Sequence, residues 1–204
     1  MLYYEKQAKK NKFSIIIGVD EAGRGPLAGP VVVAAVYLKK FAFKARIDDS
    51  KKLTPVLRNK AFKEIIRSGF YGLGVINEGA IDTINISKAI AAATDNAIGA
   101  LISKIKHLDP TVKNTFLLFD GTLSSSFKYP SKEIIGGDGK SISIAAASII
   151  AKVSRDHIMN IYGRIWPEYG FSRHKGYGTR QHIKNIKHFG ICPIHRRTFC
   201  ESLA

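Results

Sequence analysis

Four acidic residues stand where their carboxylates could do chemistry. Asp20 and Glu21 end one apolar run, Asp120 ends another, and Asp138 comes shortly before a helical pattern. Any one of them alone is more simply explained as a solvated strand end. Together, in a basic chain, they indicate a site, because crowded carboxylates cost free energy unless a cation compensates. Oxygen-only ligands suit Mg²⁺ or Mn²⁺.

Such a site predicts hydrolysis of a phosphodiester. Two ions roughly 4 Å apart can activate a water and stabilise the leaving oxygen. The dipole at a helix N-terminus is expected to keep Asp138 ionised. A side-chain nucleophile is not needed, and neither cysteine stands beside a plausible base.

The elements that must position these acids follow from hydrophobic periodicity. Strands are predicted at 14–19, 31–38, 70–76, 115–119 and 133–135. Helices are predicted from about Thr54-Pro55, between Ile84 and Leu108 with a stop at Pro110, at 142–165, and at 179–189. If the first and fourth strands are parallel neighbours, their carboxyl ends bring Asp20 and Asp120 together, where open α/β sheets place ligands.

The order of these elements predicts an α/β domain: a three-strand meander first, then parallel strands, then a helical C-terminal third. Residues 1–13 are polar and rich in lysine, which favours a solvated basic arm over a short surface helix. Repeats and separating linkers are not evident. We therefore expect residues 14–165 to form the main domain and residues 166–204 a helical region of the same globule.

The charge balance points to a polyanionic partner. Lys and Arg total 32 against 16 Asp and Glu, a formal net charge of +16 over 204 residues. The longest apolar runs fall short of the roughly 20 residues that a membrane helix needs, and the first residues do not form a secretory signal. Two cysteines suit a reducing compartment. We expect a cytoplasmic monomer that does not contact membranes.

Several stretches, taken in order, carry a specific resemblance. They read DEAGRGPLAGP (20–30), DSKKL (49–53), FDG (119–121), GDGKSISIAAASI (137–149), AKVSRD (151–156), HKGYGT (174–179) and HRRTF (195–199). In this order they resemble the signature of the ribonuclease HII family, the type 2 ribonucleases H. The resemblance extends over most of the chain.

This resemblance implies an RNase H-like fold, with a mixed central sheet, flanking helices and a substrate-binding helical region at 166–204. It implies two divalent ions, Mg²⁺ or Mn²⁺, held by Asp20, Glu21, Asp120 and Asp138 as catalytic residues. The implied substrates are RNA/DNA hybrids and duplex DNA with a single ribonucleotide, cut on its 5′ side to leave a 5′-phosphate and a 3′-hydroxyl.

The residues expected to bind substrate lie around the first acids and in the C-terminal third. Gly23 and Gly25 let the backbone around Arg24 approach a sugar closely, and the resemblance favours such contact over a mere turn. It also makes Tyr177, between two glycines, a candidate to stack on the sugar and read its 2′-hydroxyl. Residues 173–197 hold seven Lys or Arg and no Asp or Glu, Lys175 among them, which suits phosphate. Lys51 is a weaker candidate.

Other interpretations fit less well. The glycines after the first strand have the wrong spacing for a dinucleotide fingerprint, and the Gly139-Lys140-Ser141 stretch lacks the earlier glycine of a P-loop. Four potential zinc ligands within thirteen residues would make a nucleic-acid-binding module without chemistry, although their spacing matches no common finger: His188, Cys192, His195 and Cys200. Asp156, inside a helical pattern, is expected to form a structural ion pair or hydrogen bond. An inactive family member is disfavoured because all four carboxylates are present.

Overall fold

The chain is built around a five-stranded mixed sheet with the order β3-β2-β1-β4-β5. The structure is a computed structural model that describes residues 1–106, 112, 114–201 and 203. The strands are β1 (Ile15–Ala22), β2 (Val31–Leu38), β3 (Gly69–Ile76), β4 (Thr115–Asp120) and β5 (Ser131–Ile134). The first three are antiparallel neighbours, whereas β4 runs parallel to both β1 and β5. The predicted α/β class, meander and parallel pair are confirmed.

The first strand is longer than predicted. β1 continues to Ala22 because Glu21 and Ala22 pair with Val33 and Val32 of β2. Asp20 and Glu21 therefore lie within the strand instead of beyond its end. The parallel register pairs Val19 with Phe119, so Asp20 and Asp120 follow at the same level of neighbouring strands.

The helices are α1 (Tyr3–Lys10), α2 (Pro55–Ser68), α3 (Glu78–Ile84), α4 (Ile86–Ile105), α5 (Ile142–Ile165), α6 (Phe171–His174), α7 (Arg180–Phe189) and α8 (Arg197–Cys200). Thr54, Ser141 and Thr179 cap α2, α5 and α7 through their side chains, as their residue types favour. Within the described residues, none of these helices combines the length and apolarity needed to cross a membrane.

The long helix predicted between Ile84 and Leu108 corresponds to α4, and the preceding α3 was not predicted. Asn85 separates the two helices, with φ 67° in the left-handed region. Its side chain caps α4 by accepting a 3.1 Å hydrogen bond from the amide of Lys88. The predicted stop at Leu108 and Pro110 lies outside the described residues.

Strand alternation divides the core into two layers. Odd-numbered residues of β1, β2 and β4 pack with α4, and even-numbered residues of β2 pack with α2 and α5. On the α5 face, Gly18 has no side chain, and a Cβ there would lie 2.1 Å from the backbone carbon of Ser143. The start of α5 therefore lies directly against β1, two residues before Asp20.

The N-terminal segment is a packed helix and not the solvated arm that the sequence favours. Glu5 and Ala8 of α1 are buried. The Glu5 carboxylate accepts hydrogen bonds from the Ser141 hydroxyl and from the Ser143 amide, the latter at 3.0 Å. The Glu5 carboxylate thus caps the N-terminus of α5, where the helix dipole favours a negative charge.

Candidate active site

Three carboxylates meet at the carboxyl ends of β1 and β4. One oxygen from each of Asp20, Asp120 and Asp138 lies within 4.8 Å of the others. Asp20 and Asp120 come from even positions of neighbouring strands and so share the face that α5 covers. Asp138 lies in the 3-10 turn Gly137–Gly139 just before α5. The close approach of α5 at Gly18 thus brings the third carboxylate to the first two.

Backbone amides orient two of these side chains. The amide of Glu21 donates to Asp20 Oδ1 at 2.7 Å, and the amide of Gly137 donates to Asp120 Oδ1 at 2.6 Å. The second bond ties the turn that carries Asp138 to the end of β4. The backbone therefore orients Asp20 and Asp120 and ties the turn of Asp138 to them.

Burial and mutual repulsion make the ionised cluster costly. Burial raises the pKa of Asp20 well above its ordinary value, and the charges of Glu21 and Asp120 add to the rise. Burial likewise raises the pKa of Asp138, with Asp49 and Asp120 contributing. The helix dipole was expected to favour the ionised form of Asp138, and burial and the neighbouring acids act against it. The Lys51 ammonium, 3.9 Å from Asp138 Oδ2, offsets only part of the cost.

Glu21 does not join the three-carboxylate cluster. Adjacent strand residues start towards opposite faces, and only Asp20 points towards α5, but the side chains of Asp20 and Glu21 still interact by charge and by a hydrogen bond. Its Oε1 lies 3.5 Å from the guanidinium of Arg24. Burial still raises the pKa of Glu21, with Arg24 lowering it and Asp120 raising it, so its carboxylate remains within electrostatic reach of the cluster.

The donor set fits hard divalent cations. It consists of carboxylate oxygens alone, it is partly buried, and burial together with neighbouring acids raises the pKa of Asp20 and of Asp138. Asp20, Asp120 and Asp138 could hold such an ion, with Glu21 at the edge. A cation at this position would remove the repulsion that burial strengthens.

Asp20→Asn is expected to stabilise the metal-free protein. A carboxyl whose pKa is raised on folding lowers stability above that pKa, and the loss disappears as pH falls towards the unfolded value. The variant should therefore melt roughly 2–4 °C above wild type at pH 8 in EDTA, with a smaller difference at pH 5. Mn²⁺ should raise the melting temperature of wild type more than that of the variant.

Asp95 provides the matched control for this measurement. Burial raises its pKa, but hydrogen bonds from Ser125 and Ser126 outweigh this and lower it, and it lies outside the cluster. Asp95→Asn should therefore lower the melting temperature at pH 8. A melting temperature of Asp20→Asn below wild type in EDTA would contradict the electrostatic account.

A cleft of about 420 Å³ opens beside the acids. Its lining includes most of the residues predicted to bind substrate: Gly23, Arg24, Gly25, Lys51 and Tyr177, together with Glu21. The Tyr177 side chain is exposed, and its ring centre lies 5.8 Å from the guanidinium carbon of Arg155 and 5.9 Å from Lys152 Nζ. The structure thus brings residues 150 positions apart to one surface.

Lys175 does not line this cleft. It lies in a neighbouring cleft with Arg58 and Asp156, and its ammonium donates to Asn160 Oδ1 and to the carbonyl of Ser172. Burial lowers its pKa. The Lys175 ammonium thus lies on internal acceptors outside this cleft, and its binding of substrate stays a prediction.

Three residues of the cleft were missed by the sequence reasoning. Lys152, Ser50 and Ser148 also line it, and the two hydroxyls lie 2.9 Å apart. All three lie inside the stretches that resemble the ribonuclease HII signature, and that resemblance could have indicated them as site residues. Asp156 forms the expected ion pairs, with Lys152 at 2.8 Å and Arg58 at 3.6 Å.

The potential zinc ligands do not assemble. His188 is exposed, Cys200 Sγ lies 3.8 Å from the carbonyl of Leu27, and burial raises the pKa of Cys192 to about 11. His195 Nδ1 lies 3.1 Å from Cys192 Sγ, and its Nε2 lies 3.0 Å from that of His182. Across the described ranges, the three-carboxylate cluster is the grouping able to hold a metal.

The sheet order, with acids at the ends of β1 and β4, is that of the RNase H-like fold. The fold is similar to the ribonuclease H2 of Pyrococcus horikoshii OT3, with a TM-score of 0.65, 22% identity, and coverage of 93% of this chain and 96% of that one. It is also similar to Bst-RNase HIII solved in complex with Mn²⁺, with a TM-score of 0.66, 20% identity and coverage of 90% and 65%.

Sequence comparison narrows this class. The family model described as Ribonuclease HII matches residues 17–202. The Ribonuclease HII of Caldanaerobacter subterraneus subsp. tengcongensis is 45% identical over 204 residues, covering 100% of this chain and 81% of that protein. That of Syntrophus aciditrophicus is 46% identical over 200 residues, covering 98% and 90%. The chain belongs to the ribonuclease HII family, and it is a metal-dependent endoribonuclease acting on the RNA strand of hybrids.

Proposed function

We propose that this enzyme also cuts duplex DNA on the 5′ side of a single embedded ribonucleotide, using two divalent ions, Mg²⁺ or Mn²⁺, and leaving a 5′-phosphate and a 3′-hydroxyl. One observation carries the proposal: the carboxylate cluster lies beside a cleft lined by Gly23, Arg24, Gly25 and Tyr177. A site that must recognise one ribonucleotide needs both parts next to each other.

The proposed division of labour follows from the chemistry of each group. When bound, the divalent ions supply activation of water and stabilisation of the leaving oxygen. Asp20, Asp120 and Asp138, with Glu21, hold them. Backbone groups of the 23–25 segment contact the ribose, whose 2′-hydroxyl both donates and accepts hydrogen bonds.

The remaining groups of the cleft bind the sugar and the phosphate backbone. Tyr177, with its exposed ring, stacks on the neighbouring sugar. Lys51 and Lys152 contribute charge for phosphate, to which the net charge of +16 steers the enzyme. Monomeric state and a cytoplasmic location remain part of this proposal.

The decisive experiment is cleavage of end-labelled duplexes by the purified protein. The substrates are a DNA duplex with one ribonucleotide, the same duplex in all-DNA form, and an RNA/DNA hybrid, each with Mg²⁺, Mn²⁺ or EDTA. We expect metal-dependent cutting of the first and third, and products whose 3′ ends a polymerase can extend. Cutting of the hybrid alone would refute the single-ribonucleotide activity. Binding without cutting would leave a basic binding module.

Gly25→Ala should separate substrate contact from folding. Gly25 is exposed, its backbone lies outside the left-handed region, and a Cβ there would meet nothing within 4 Å. The fold should therefore accept alanine. A methyl group between backbone and ribose should cost about tenfold in kcat/KM on the single-ribonucleotide duplex, mainly through KM.

Gly79→Ala is the control for this change. A Cβ at Gly79 of α3 would meet only the Asn77 side chain at 3.9 Å, and Gly79 does not line the cleft. Both variants should melt within about 1 °C of wild type or above it. Unchanged kinetics of a folded Gly25→Ala would exclude close backbone approach at this position.

A further inference from the structure

Two arginines are buried beneath the loop that joins β1 and β2. Arg155 is 1% exposed and Arg196 is 0% exposed. A buried cation is costly unless its hydrogen-bond donors are satisfied. Neither arginine forms an ion pair with an acid in the described part of the chain. Both guanidinium groups instead donate hydrogen bonds to backbone carbonyls.

Arg196 uses all its terminal nitrogens on carbonyls of this loop. Nη2 donates to Gly23 O at 2.6 Å and to Gly29 O at 2.8 Å, Nη1 donates to Arg24 O at 3.0 Å, and Nε donates to Gly29 O at 3.0 Å. The amide of Arg196 also donates to Leu27 O at 2.8 Å. One side chain from the C-terminal region thus holds both ends of the loop.

Arg155 connects the same loop to the segment that carries Tyr177. Its Nε donates to Pro30 O at 2.9 Å and its Nη2 to Ala28 O at 3.0 Å, while Nη1 donates to Lys175 O at 3.0 Å. Its guanidinium also lies under the Tyr177 ring. The two halves of the proposed ribose site therefore share one buried anchor.

These contacts decide which backbone groups of the loop are free to bind a ligand. The carbonyls of Gly23 and Arg24 point inward to Arg196. The amides of Gly23, Arg24 and Gly25 donate no hydrogen bond to any described residue. Amides of this kind, with buried positive charge behind them, suit an acceptor such as a hydroxyl or phosphate oxygen.

We infer that Arg196 and Arg155 are positioning residues for ribonucleotide recognition, which turn the amides of residues 23–25 towards the ribose and keep Tyr177 in register with them. This rests on the proposed function of the 23–25 segment and Tyr177. Lysine cannot replace either arginine, because several donors in one plane are required at once and an ammonium on a flexible stem does not supply that geometry.

The test compares Arg196→Lys with wild type on the single-ribonucleotide duplex, with all-DNA duplex as a competitive inhibitor. The variant keeps the charge and loses the planar fork. KM should rise about tenfold, while the inhibition constant of all-DNA duplex stays within about twofold, since that binding depends on surface charge. A smaller folded fraction would lower the apparent kcat and could not raise KM.

Two further variants complete the design. Glu64→Ala removes a comparable loop anchor far from the cleft, where Glu64 accepts from the amides of Lys44 and Ala45 at 2.8 and 3.0 Å, and KM should not change. Combining Arg196→Lys with Gly25→Ala should raise KM by less than the product of the single effects, because both act on one contact.

The outcomes distinguish failure of the positioning role from failure of the proposed single-ribonucleotide cleavage. A folded Arg196→Lys with unchanged KM would overturn the inference. If that variant does not fold, Arg155→Lys is measured instead, and unchanged KM there has the same meaning. If wild type does not cut the single-ribonucleotide duplex, the proposed function fails first. Wild type that cuts, with variants of normal KM, contradicts the positioning role alone.

Discussion

Asp120→Asn is expected to lower kcat at least about a thousandfold, a loss of roughly 4 kcal/mol of transition-state stabilisation. Asp120 belongs to the cluster with Asp20 and Asp138, and its charge acts on both of them. The amide side chain removes the negative charge of Asp120 and replaces one of its two side-chain oxygens with a nitrogen that cannot bind a cation. Cleavage of an end-labelled hybrid under single-turnover conditions measures the effect with Mg²⁺ and with Mn²⁺.

The fold and the affinity for nucleic acid should survive this change. The oxygen of asparagine can still accept the hydrogen bond that the Gly137 amide gives Asp120 Oδ1. Removing an acid from a chain of net charge +16 should leave duplex binding within about threefold of wild type or tighter. Loss of cutting with retained binding would then locate the defect in the chemical step.

Asp95→Asn again serves as the matched control. Asp95 Oδ1 accepts a 2.8 Å hydrogen bond from the Ser126 amide, as Asp120 accepts one from Gly137, but it lies outside the cluster. Its replacement should leave kcat within about twofold of wild type. Asp120→Asn activity within tenfold of wild type with either metal would exclude the cluster as the catalytic centre.

Gly18→Ala should destabilise the whole protein, lowering the free energy of unfolding by about 3 kcal/mol or more. A Cβ at Gly18 would lie 2.1 Å from Ser143 C, 2.2 Å from Ser143 O and 2.5 Å from the Ile144 amide nitrogen. All three are backbone atoms of α5, so no side chain can rotate away. Either α5 moves outward or β1 bends, and both disturb the packed core.

The melting temperature measures this effect and should fall by roughly 10 °C. The displacement of α5 also moves the turn that carries Asp138, so Mn²⁺ should stabilise the folded variant less than it stabilises wild type. Gly79→Ala, with nearly open space around it, is the control that adds the same methyl group without a clash. A Gly18→Ala variant as stable as wild type would show that α5 can shift cheaply.

The sequence by itself determined the five strands, the longer helices and the neighbouring positions of Asp20 and Asp120. Short apolar and β-branched runs predicted the strands, and Thr54, Ser141 and Thr179 marked where helices begin, because capping depends on residues close in the chain. Acids at the ends of two strands predicted to be parallel were enough to expect Asp20 and Asp120 side by side. The alternation of β1 could also have separated Glu21 from Asp20.

Contacts between distant residues had to come from the tertiary structure. The backbone of α5 meets Gly18 across 125 positions of the chain, as Ser143 lies that far along it, and Arg196 meets Gly23 across 173. Local charge could not show that the Lys175 ammonium donates to Asn160 and to Ser172, outside the cleft beside the acids. The partner of a long charged side chain depends on which acceptors the packed elements bring within reach, and local residue patterns do not encode that.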